Sequence, residues 1–179
     1  RNRRSHPPRR PSVIAGLVLA AGAGVRFGGP KAPVVINSDR LVDHAVRCLR
    51  DGGCDPVLVV LGAWVGEVPA AQVVVNDEWA TGMASSLRAG LADLHTRSDV
   101  TSVVVTLVDL PGMTGTAVRR IADADADAGI VVATYGGERG LSCAMRAWTA
   151  ESNCNLLHGY SLGFKFTFAA EQLDHRGWV

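Results

Sequence analysis

A continuous apolar run that leads directly into a glycine-rich loop is the feature of this sequence that most constrains its fold. Residues 13–20 are all apolar or glycine, as is typical of a central strand buried on both faces of a parallel sheet. The loop that follows contains four glycines: Gly22, Gly24, Gly28 and Gly29. Because glycine has no Cβ, the backbone N–H groups of such a loop can approach phosphate oxygens closely, and Arg26 and Lys31 add positive charge. The segment therefore predicts a site for a nucleoside triphosphate.

Two better-known glycine-rich motifs fit this loop poorly. The dinucleotide motif G-x-G-x-x-G would need glycine in place of Phe27, and the acidic residues that follow, Asp39 and Asp43, come too early to close a second strand. A Walker A loop ends in Gly-Lys-Ser/Thr, whereas here Pro30 precedes the lysine and Ala32 follows it. No hydroxyl is therefore placed to reach a metal ion in the Walker A manner.

Apolar runs and helical periodicities alternate along the rest of the chain. Further strands are predicted over residues 56–61, 72–75, 102–108 and 130–135, and helices around residues 41–49, 83–94 and 118–122. Such alternation favours a three-layer α/β/α, Rossmann-like domain with a mostly parallel sheet. In open sheets of this kind ligands bind beyond the carboxyl ends of the strands, where the glycine loop, Asn76 and Asp109 are all expected.

Composition limits the chain to one domain and a narrow set of partners. With 179 residues, 47% hydrophobic and 20% charged, it can form a single full core over residues 12–179. Residues 1–11 hold five of the 18 basic residues and three prolines without an apolar stretch, so they predict a disordered basic tail or an upstream extension, not a secretory signal. The remaining 13 basic and 17 acidic residues offer no basic body for nucleic acid, and no apolar run is long enough to span a membrane.

The cysteines indicate a reducing, cytoplasmic setting. The chain has four of them, at Cys48, Cys54, Cys143 and Cys154, and no two form a Cys-x-x-Cys pair. This spacing indicates neither a zinc site nor a thioredoxin-type motif, so reduced thiols in the cytoplasm are the expectation.

The glycine loop also carries a family signature. Its matching segments are Leu19-Ala20-Ala21-Gly22, Arg26-Phe27-Gly28 and Pro30-Lys31. In order and spacing they resemble the opening motif of the NTP-transferase family that includes the molybdenum cofactor cytidylyl- and guanylyltransferases and the sugar-nucleotide pyrophosphorylases. The resemblance implies a nucleotide-binding cradle with two catalytic cations, Arg26 and Lys31, that stabilise phosphates. The residues assigned to the cradle are Leu19, Ala20, Ala21, Gly22, Gly24 and Lys31.

A carboxylate ends the fourth predicted strand, in the sequence Asp109-Leu110-Pro111. In the resembled family the corresponding Asp-x-Pro supplies an aspartate that binds Mg²⁺, which implies a catalytic and metal-binding role for Asp109. Magnesium takes one or two carboxylates together with phosphate and water oxygens, so one aspartate can begin such a site. The alternative is that Asp109 caps the helix that follows.

Residues 76–90 resemble a second signature of the same family, Asn…Gly-Met-x-x-Ser-Leu…Gly. The segment falls at a predicted helix start, where free N–H groups and hydroxyls can meet a base or ribose. The alternative is ordinary capping of the helix by Thr81. The resemblance implies that four residues border the nucleotide: Asn76, Gly82, Ser85 and Ser86.

The resemblance ends near Gly140. Related proteins of the molybdenum cofactor type usually continue Gly-His-Pro here, whereas this chain continues from Leu141 without a match. The family's late metal-binding carboxylate has no clear counterpart, since Asp174 is the only aspartate in this tail and its neighbours differ. Residues 141–179 are therefore expected to be divergent or frameshifted, and an unbroken reading frame in resequenced DNA would contradict the frameshift.

These features imply an Mg²⁺-dependent nucleotidyltransferase that moves NMP from a nucleoside triphosphate to a phosphorylated small-molecule acceptor. By resemblance alone, CTP is favoured over GTP, molybdopterin is the suggested acceptor and a molybdoenzyme is the suggested client. Two alternatives stay open. The resembled family also includes proteins that are similar in the glycine loop and are named as nicotine blue oxidoreductases, which reduce a quinone-like pigment with a nicotinamide cofactor. The unmatched tail also suits a nucleotide-binding protein with impaired catalysis.

Overall fold

The computed structural model describes residues 13–124, 130–135 and 138–146. In chain order the strands are β1 (Val13–Leu19), β2 (Val35–Ile36), β3 (Asp39–Arg40), β4 (Val57–Leu61), β5 (Gln72–Val75), β6 (Val100–Leu107), β7 (Ile130–Tyr135) and β8 (Glu138–Arg146). The helices are α1 (Leu41–Asp51), α2 (Met83–His95) and α3 (Gly115–Ala122), and a 3₁₀ turn spans Trp79–Thr81.

Six of the strands form one sheet in the order β5-β4-β1-β6-β8-β7. The pairs β5–β4, β4–β1 and β1–β6 are parallel, whereas β8 runs antiparallel to both of its neighbours. The predicted fold class, a mostly parallel α/β sheet, is confirmed.

Helices cover both faces of the sheet, which gives three layers. Buried residues of α1 and α3 share one apolar cluster with Val18, Val59 and Leu61. Those of α2 share a second cluster with Leu17 and Leu58. Because successive side chains of a strand point to opposite faces, β1 and β4 can contribute to both clusters, and this explains why their sequences are continuously apolar.

Two parts of the fold differ from the sequence-based expectation. The hairpin of β2 and β3 turns at Asn37 and Ser38, which both have positive φ, and its strands of two residues each are too short to show a period. Strand β8 was not predicted because Gly140 and Ser142 interrupt its apolar residues. It is specified by its neighbours instead, since it pairs with β6 on one side and β7 on the other.

The expected boundary at residue 141 falls inside β8, which continues to Arg146. The assignment of residues 12–179 to one domain and of residues 1–11 to a disordered tail stays a prediction. Within the described part of the chain, no helix is both long and apolar enough to cross a membrane.

Candidate functional site

A cavity of about 340 Å³ opens at the carboxyl edge of the sheet, beyond the neighbouring strands β1 and β6. Its volume lies in the range of small-molecule sites. Its walls come from the glycine loop, the start of α2 and the end of β6. The residues that line it are Leu19, Ala20, Ala21, Gly22, Ala23, Gly24, Lys31, Trp79, Ala80, Gly82, Met83, Ser86, Leu107, Val108 and Asp109.

The shape of the glycine loop depends on Gly24. Its carbonyl oxygen accepts hydrogen bonds from the N–H groups of Phe27 at 2.8 Å, Gly28 at 2.9 Å and Gly29 at 3.2 Å. Gly24 has φ +61°, and a Cβ at this position would lie 1.9 Å from the carbonyl oxygen of Gly29. Only glycine can therefore close this turn without a shift of the backbone.

The amides of the loop divide into two groups. Those of Phe27, Gly28 and Gly29 donate hydrogen bonds inside the turn. Those of residues 22–25 make no hydrogen bond to any other described residue, and Gly22, Ala23 and Gly24 line the cavity. Consecutive amide donors of this kind can bind an anion such as phosphate.

A lysine–carboxylate pair lies against the same cavity. The Nζ of Lys31 lies 2.6 Å from Oδ2 of Asp109, and the two side chains are 22% and 17% exposed. Asp109 is held close to β1, because the N–H of the preceding Val108 donates to the carbonyl of Leu19 at 3.2 Å. Among the described residues that line the cavity, Lys31 and Asp109 are the charged ones.

Asp109 does not cap the helix that follows it, which was the alternative to a functional role. Helix α3 begins at Gly115, and its cap is Thr114, whose side-chain oxygen accepts a hydrogen bond from the N–H of Ala117 at 3.2 Å. The carboxylate of Asp109 is thus available to the cavity, where Lys31 is its hydrogen-bond partner.

The start of α2 lies beside the cavity without a side-chain cap. Its cap residue is Gly82, with φ +121° and no side-chain hydrogen bond, and Gly82 and Met83 both line the cavity. Thr81 does not cap this helix, because its hydroxyl donates instead to the carbonyl of Glu78 at 2.8 Å. The uncapped amides and the positive end of the helix dipole favour a negatively charged ligand here.

The side chain of Asn76 forms hydrogen bonds inside the protein and does not line the cavity. It is 6% exposed, and its Nδ2 donates to the hydroxyls of Ser85 at 2.8 Å and Ser86 at 3.0 Å. Its Oδ1 accepts from the N–H of Glu78 at 3.0 Å. Ser85 likewise points inward, since its hydroxyl donates to the carbonyl of Gly82 at 2.8 Å. These contacts fix the position of Ser86, which does line the cavity.

Most of the sequence-predicted site residues come together at this cavity. Nine of them line it: Leu19, Ala20, Ala21, Gly22, Gly24, Lys31, Gly82, Ser86 and Asp109. Asn76 and Ser85 support the wall from behind, and Arg26 lies exposed in the glycine turn outside the lining set. Sequence reasoning missed Trp79, whose ring packs over Gly62 and forms part of the wall. Its position inside the second signature was the available signal.

The donor set also limits which metal ion the cavity can hold. Within the described residues no group of three or more His, Cys, Asp or Glu side chains could hold a metal by itself. One carboxylate beside several N–H donors suited to phosphate fits a hard divalent cation such as Mg²⁺ or Mn²⁺, which shares its coordination with phosphate and water. Asp174, the late carboxylate considered from the sequence, lies outside the described residues.

A mostly parallel sheet with unbonded loop amides, a lysine and a carboxylate at its carboxyl edge is the arrangement found in α/β nucleotide-binding proteins. The chain belongs to the family of MobA-like NTP transferase domains, whose model matches residues 16–162. That match continues past Gly140 and covers both sequence signatures.

The relatives that this chain resembles are named for different activities. The chain is 42% identical over 115 residues to nicotine blue oxidoreductase of Paenarthrobacter nicotinovorans, covering 60% of this chain and 55% of that one. It is 31% identical over 107 residues to a probable molybdenum cofactor guanylyltransferase of Opitutus terrae, covering 57% and 50%. The chain thus spans about half the length of these relatives.

Among solved structures, the manganese complex of Rv0371c from Mycobacterium tuberculosis H37Rv is similar to this chain. The TM-score is 0.65 at 27% identity, and the alignment covers 87% of this chain and 82% of that one.

Proposed function

We propose that this protein is a divalent-metal-dependent nucleotidyltransferase that transfers NMP from CTP, or from GTP, to a phosphorylated acceptor such as molybdopterin. The observation that carries the proposal is the Lys31–Asp109 pair, which faces the same cavity as the unpaired amides of the glycine loop. This reaction requires two groups close together in one site: a cation that binds phosphate and a carboxylate that binds the metal ion.

In the proposed reaction an oxygen of the acceptor phosphate attacks the α-phosphorus of the triphosphate. The bond from the α-phosphorus to the bridging oxygen of the β-phosphate breaks, and pyrophosphate leaves with that electron pair. Lys31 would donate to phosphate oxygens, and the amides of Gly22, Ala23 and Gly24, which line the same cavity, would donate to the same negatively charged groups. Asp109 would hold the metal ion, which when bound would supply positive charge to neutralise the developing charge.

The remaining lining residues would enclose the nucleoside. Gly82 and the start of α2 line the same cavity as the glycine loop, and Ser86 offers a hydroxyl whose position Asn76 fixes. Trp79 adds a partly apolar surface suited to a base or sugar. Arg26, which lies exposed in the same turn, is proposed as a second phosphate contact.

The comparisons support parts of this proposal. A relative named as a molybdenum cofactor guanylyltransferase supports the molybdopterin acceptor and GTP, whereas the preference for CTP rests on the sequence motifs alone. The manganese complex of the mycobacterial protein supports use of a divalent cation. A molybdoenzyme client and a cytoplasmic setting belong to the same proposal, and the buried free thiols of Cys48 and Cys54 suit that setting.

A second candidate function is a nicotinamide-dependent oxidoreductase. It is favoured by the 42% identity to nicotine blue oxidoreductase. The cavity itself favours triphosphate chemistry, because the charged residues among its described lining are a lysine and a carboxylate suited to a metal ion.

A turnover assay separates the two candidates. The protein is incubated with molybdopterin and CTP or GTP, with Mg²⁺ or Mn²⁺, and pyrophosphate release is measured. NADH oxidation by a quinone-like pigment is measured in parallel. Pyrophosphate release that depends on metal and acceptor supports the proposal, and NADH oxidation without pyrophosphate release contradicts it. Nucleotide binding without either reaction indicates the impaired nucleotide-binding protein.

A further inference from the structure

The two charged side chains among the described residues that line the cavity, Lys31 and Asp109, are paired with each other. Lys31 donates to Oδ2 of Asp109 at 2.6 Å, and both side chains are more than three-quarters buried. Asp109 is the only acidic residue among the described residues that line the cavity. The carboxylate assigned to the metal ion is therefore already neutralised by the cation assigned to phosphate.

We propose that Lys31 compensates the charge of Asp109 when no metal ion is bound, and we call this its stand-in role. As a consequence, the metal ion and the triphosphate bind cooperatively. This inference rests on the proposed function, because it takes Asp109 as the metal ligand. It assigns Lys31 a second role besides phosphate binding, which is to keep the affinity for either ligand low in the absence of the other.

Simple electrostatics explains the coupling. A divalent cation that binds alone must compete with the ammonium group of Lys31 for Asp109 and then lies beside a like charge. A triphosphate that binds alone draws Lys31 away and then faces the uncompensated carboxylate of Asp109. When both bind, Lys31 contacts phosphate and Asp109 contacts metal, so every charge has a partner. By linkage, each ligand must raise the affinity for the other by the same factor.

The partial burial of the pair makes the effect large enough to measure. A pair in full contact with water would be screened, whereas these side chains are 22% and 17% exposed. Arg26 in the same loop lies outside the lining set. Lys31 is therefore the cation whose removal should change metal binding.

The first test measures Mn²⁺ binding without nucleotide, by the electron paramagnetic resonance signal of free Mn²⁺. Lys31→Met should bind Mn²⁺ roughly 10-fold more tightly than the wild type. Lys31→Gln serves as a second variant if the first is unstable, with folding checked by circular dichroism. Arg88→Met is the matched control. Arg88 is exposed on α2, and its substitution removes one positive charge at a position away from Asp109.

The second test measures the reciprocal effect, by calorimetry of inorganic tripolyphosphate with a chelator present to remove metal. Asp109→Asn should bind tripolyphosphate roughly 10-fold more tightly than the wild type, because Lys31 is released and the repulsion is removed. Asp77→Asn is the control, since Asp77 is exposed and does not line the cavity.

Tighter binding in both variants, with both controls unchanged, supports the inference. Equal or weaker Mn²⁺ binding by both Lys31 variants, or equal or weaker tripolyphosphate binding by Asp109→Asn, overturns it. Either result can coexist with normal nucleotidyl transfer, and then only the stand-in role is lost. Absence of transfer with every nucleotide would instead overturn the proposed function and leave the ion-binding result standing.

Discussion

Two glycines of the same loop, Gly22 and Gly24, have different physical reasons for being glycine. A Cβ on Gly22 would meet no protein atom within 4 Å, whereas one on Gly24 would lie 1.9 Å from the carbonyl oxygen of Gly29. Gly22 also lines the cavity. In the sequence both glycines belong to one motif. Only the backbone geometry shows that Gly22 leaves room for a ligand and that Gly24 allows the turn to close.

Alanine substitutions should separate these two roles. Gly22→Ala should leave the free energy of unfolding nearly unchanged but lower kcat/KM for the nucleotide by roughly 10- to 100-fold, because the methyl group enters the ligand space. Gly24→Ala should lower the free energy of unfolding by about 1–3 kcal/mol, because φ is +61° and the turn must open. Urea denaturation and steady-state kinetics measure both, and equal effects of the two variants on stability would contradict this distinction.

A buried thiol predicts how stability depends on alkaline pH. Burial raises the pKa of Cys54 from its ordinary value of 9.0 to about 12, and the side chain is 2% exposed. The unfolded thiol ionises above pH 9 while the folded one stays neutral, so stability is fully present below about pH 9 and is lost as the pH rises towards 12. The loss is at most about 4 kcal/mol, since each pKa unit corresponds to about 1.36 kcal/mol.

Urea denaturation between pH 8 and 11 measures this loss, with Cys54→Ala as the control. The variant lacks the thiol and should show a shallower decrease in the free energy of unfolding over the same pH range. An equally steep decrease in the variant would show that other groups cause the alkaline loss.

At the residue scale, the glycine loop and a strand end were enough to predict Lys31 and Asp109 at one cavity. The same reasoning placed Arg26 there, and Arg26 lies exposed outside the lining set. The sequence could not show that the side chains of Asn76 and Ser85 form hydrogen bonds with each other and with nearby backbone groups. Motif spacing places a residue near a site, but the direction of its side chain depends on the local backbone. Trp79 was missed for the same reason.

Among the elements, the connection from β5 to α2 determines the shape of the cavity wall. Asn76 follows β5 directly and joins three points of the next ten residues: the N–H of Glu78 and the hydroxyls of Ser85 and Ser86. Because the side chain is buried, each lost bond leaves a polar group without water to replace it. Asn76 is therefore a positioning residue for the start of α2.

Asn76→Ala should lower the free energy of unfolding by about 1–3 kcal/mol. It should also raise KM for the nucleotide more than it lowers kcat, because the α2 start moves while Lys31 and Asp109 stay in place. Hydrogen exchange should be faster in the second turn of α2, whose N–H groups are bonded within the helix and lose protection when the helix start loosens. Unchanged stability together with unchanged exchange would remove the positioning role from Asn76.

Elements with a long, uniform pattern were predicted well from the sequence. Strands β1, β4 and β5, which carry continuous apolar runs, were expected within one residue of their observed bounds, and α1 showed its buried face at helical spacing. Elements without such a pattern were missed, namely β2, β3 and β8. Their stability comes from partners and turns, which a local pattern does not contain.

For the whole molecule, the sheet order brings distant segments of the chain together. Lys31 and Asp109 are 78 positions apart, and they meet because β1 and β6 are parallel neighbours whose carboxyl ends share one edge. This juxtaposition follows from topology and could be predicted from the alternation of strands and helices. The antiparallel course of β8 could not, since it depends on pairing with both β6 and β7.

A proline in β8 tests whether this strand holds the sheet together. Ala144 pairs with Val104 of β6 and Val131 of β7. Ala144→Pro should lower the free energy of unfolding by about 3 kcal/mol or more, because proline cannot donate a ladder hydrogen bond and strains an interior strand. Ala144→Ser keeps the N–H group and serves as the control. A proline variant as stable as the wild type in urea would show that β8 is dispensable for the fold.

The central claim is that this cavity binds a nucleoside triphosphate together with a divalent cation held by Asp109. Isothermal titration calorimetry of CTP, GTP and NADH, each with and without Mg²⁺, tests it most directly when wild type and Asp109→Asn are compared. We predict that CTP or GTP binds the wild type tightly only with Mg²⁺. The Asp109→Asn variant should stay folded and bind the same nucleotide with an affinity that Mg²⁺ does not change. Tight binding of NADH with no metal-dependent binding of either triphosphate would contradict the account.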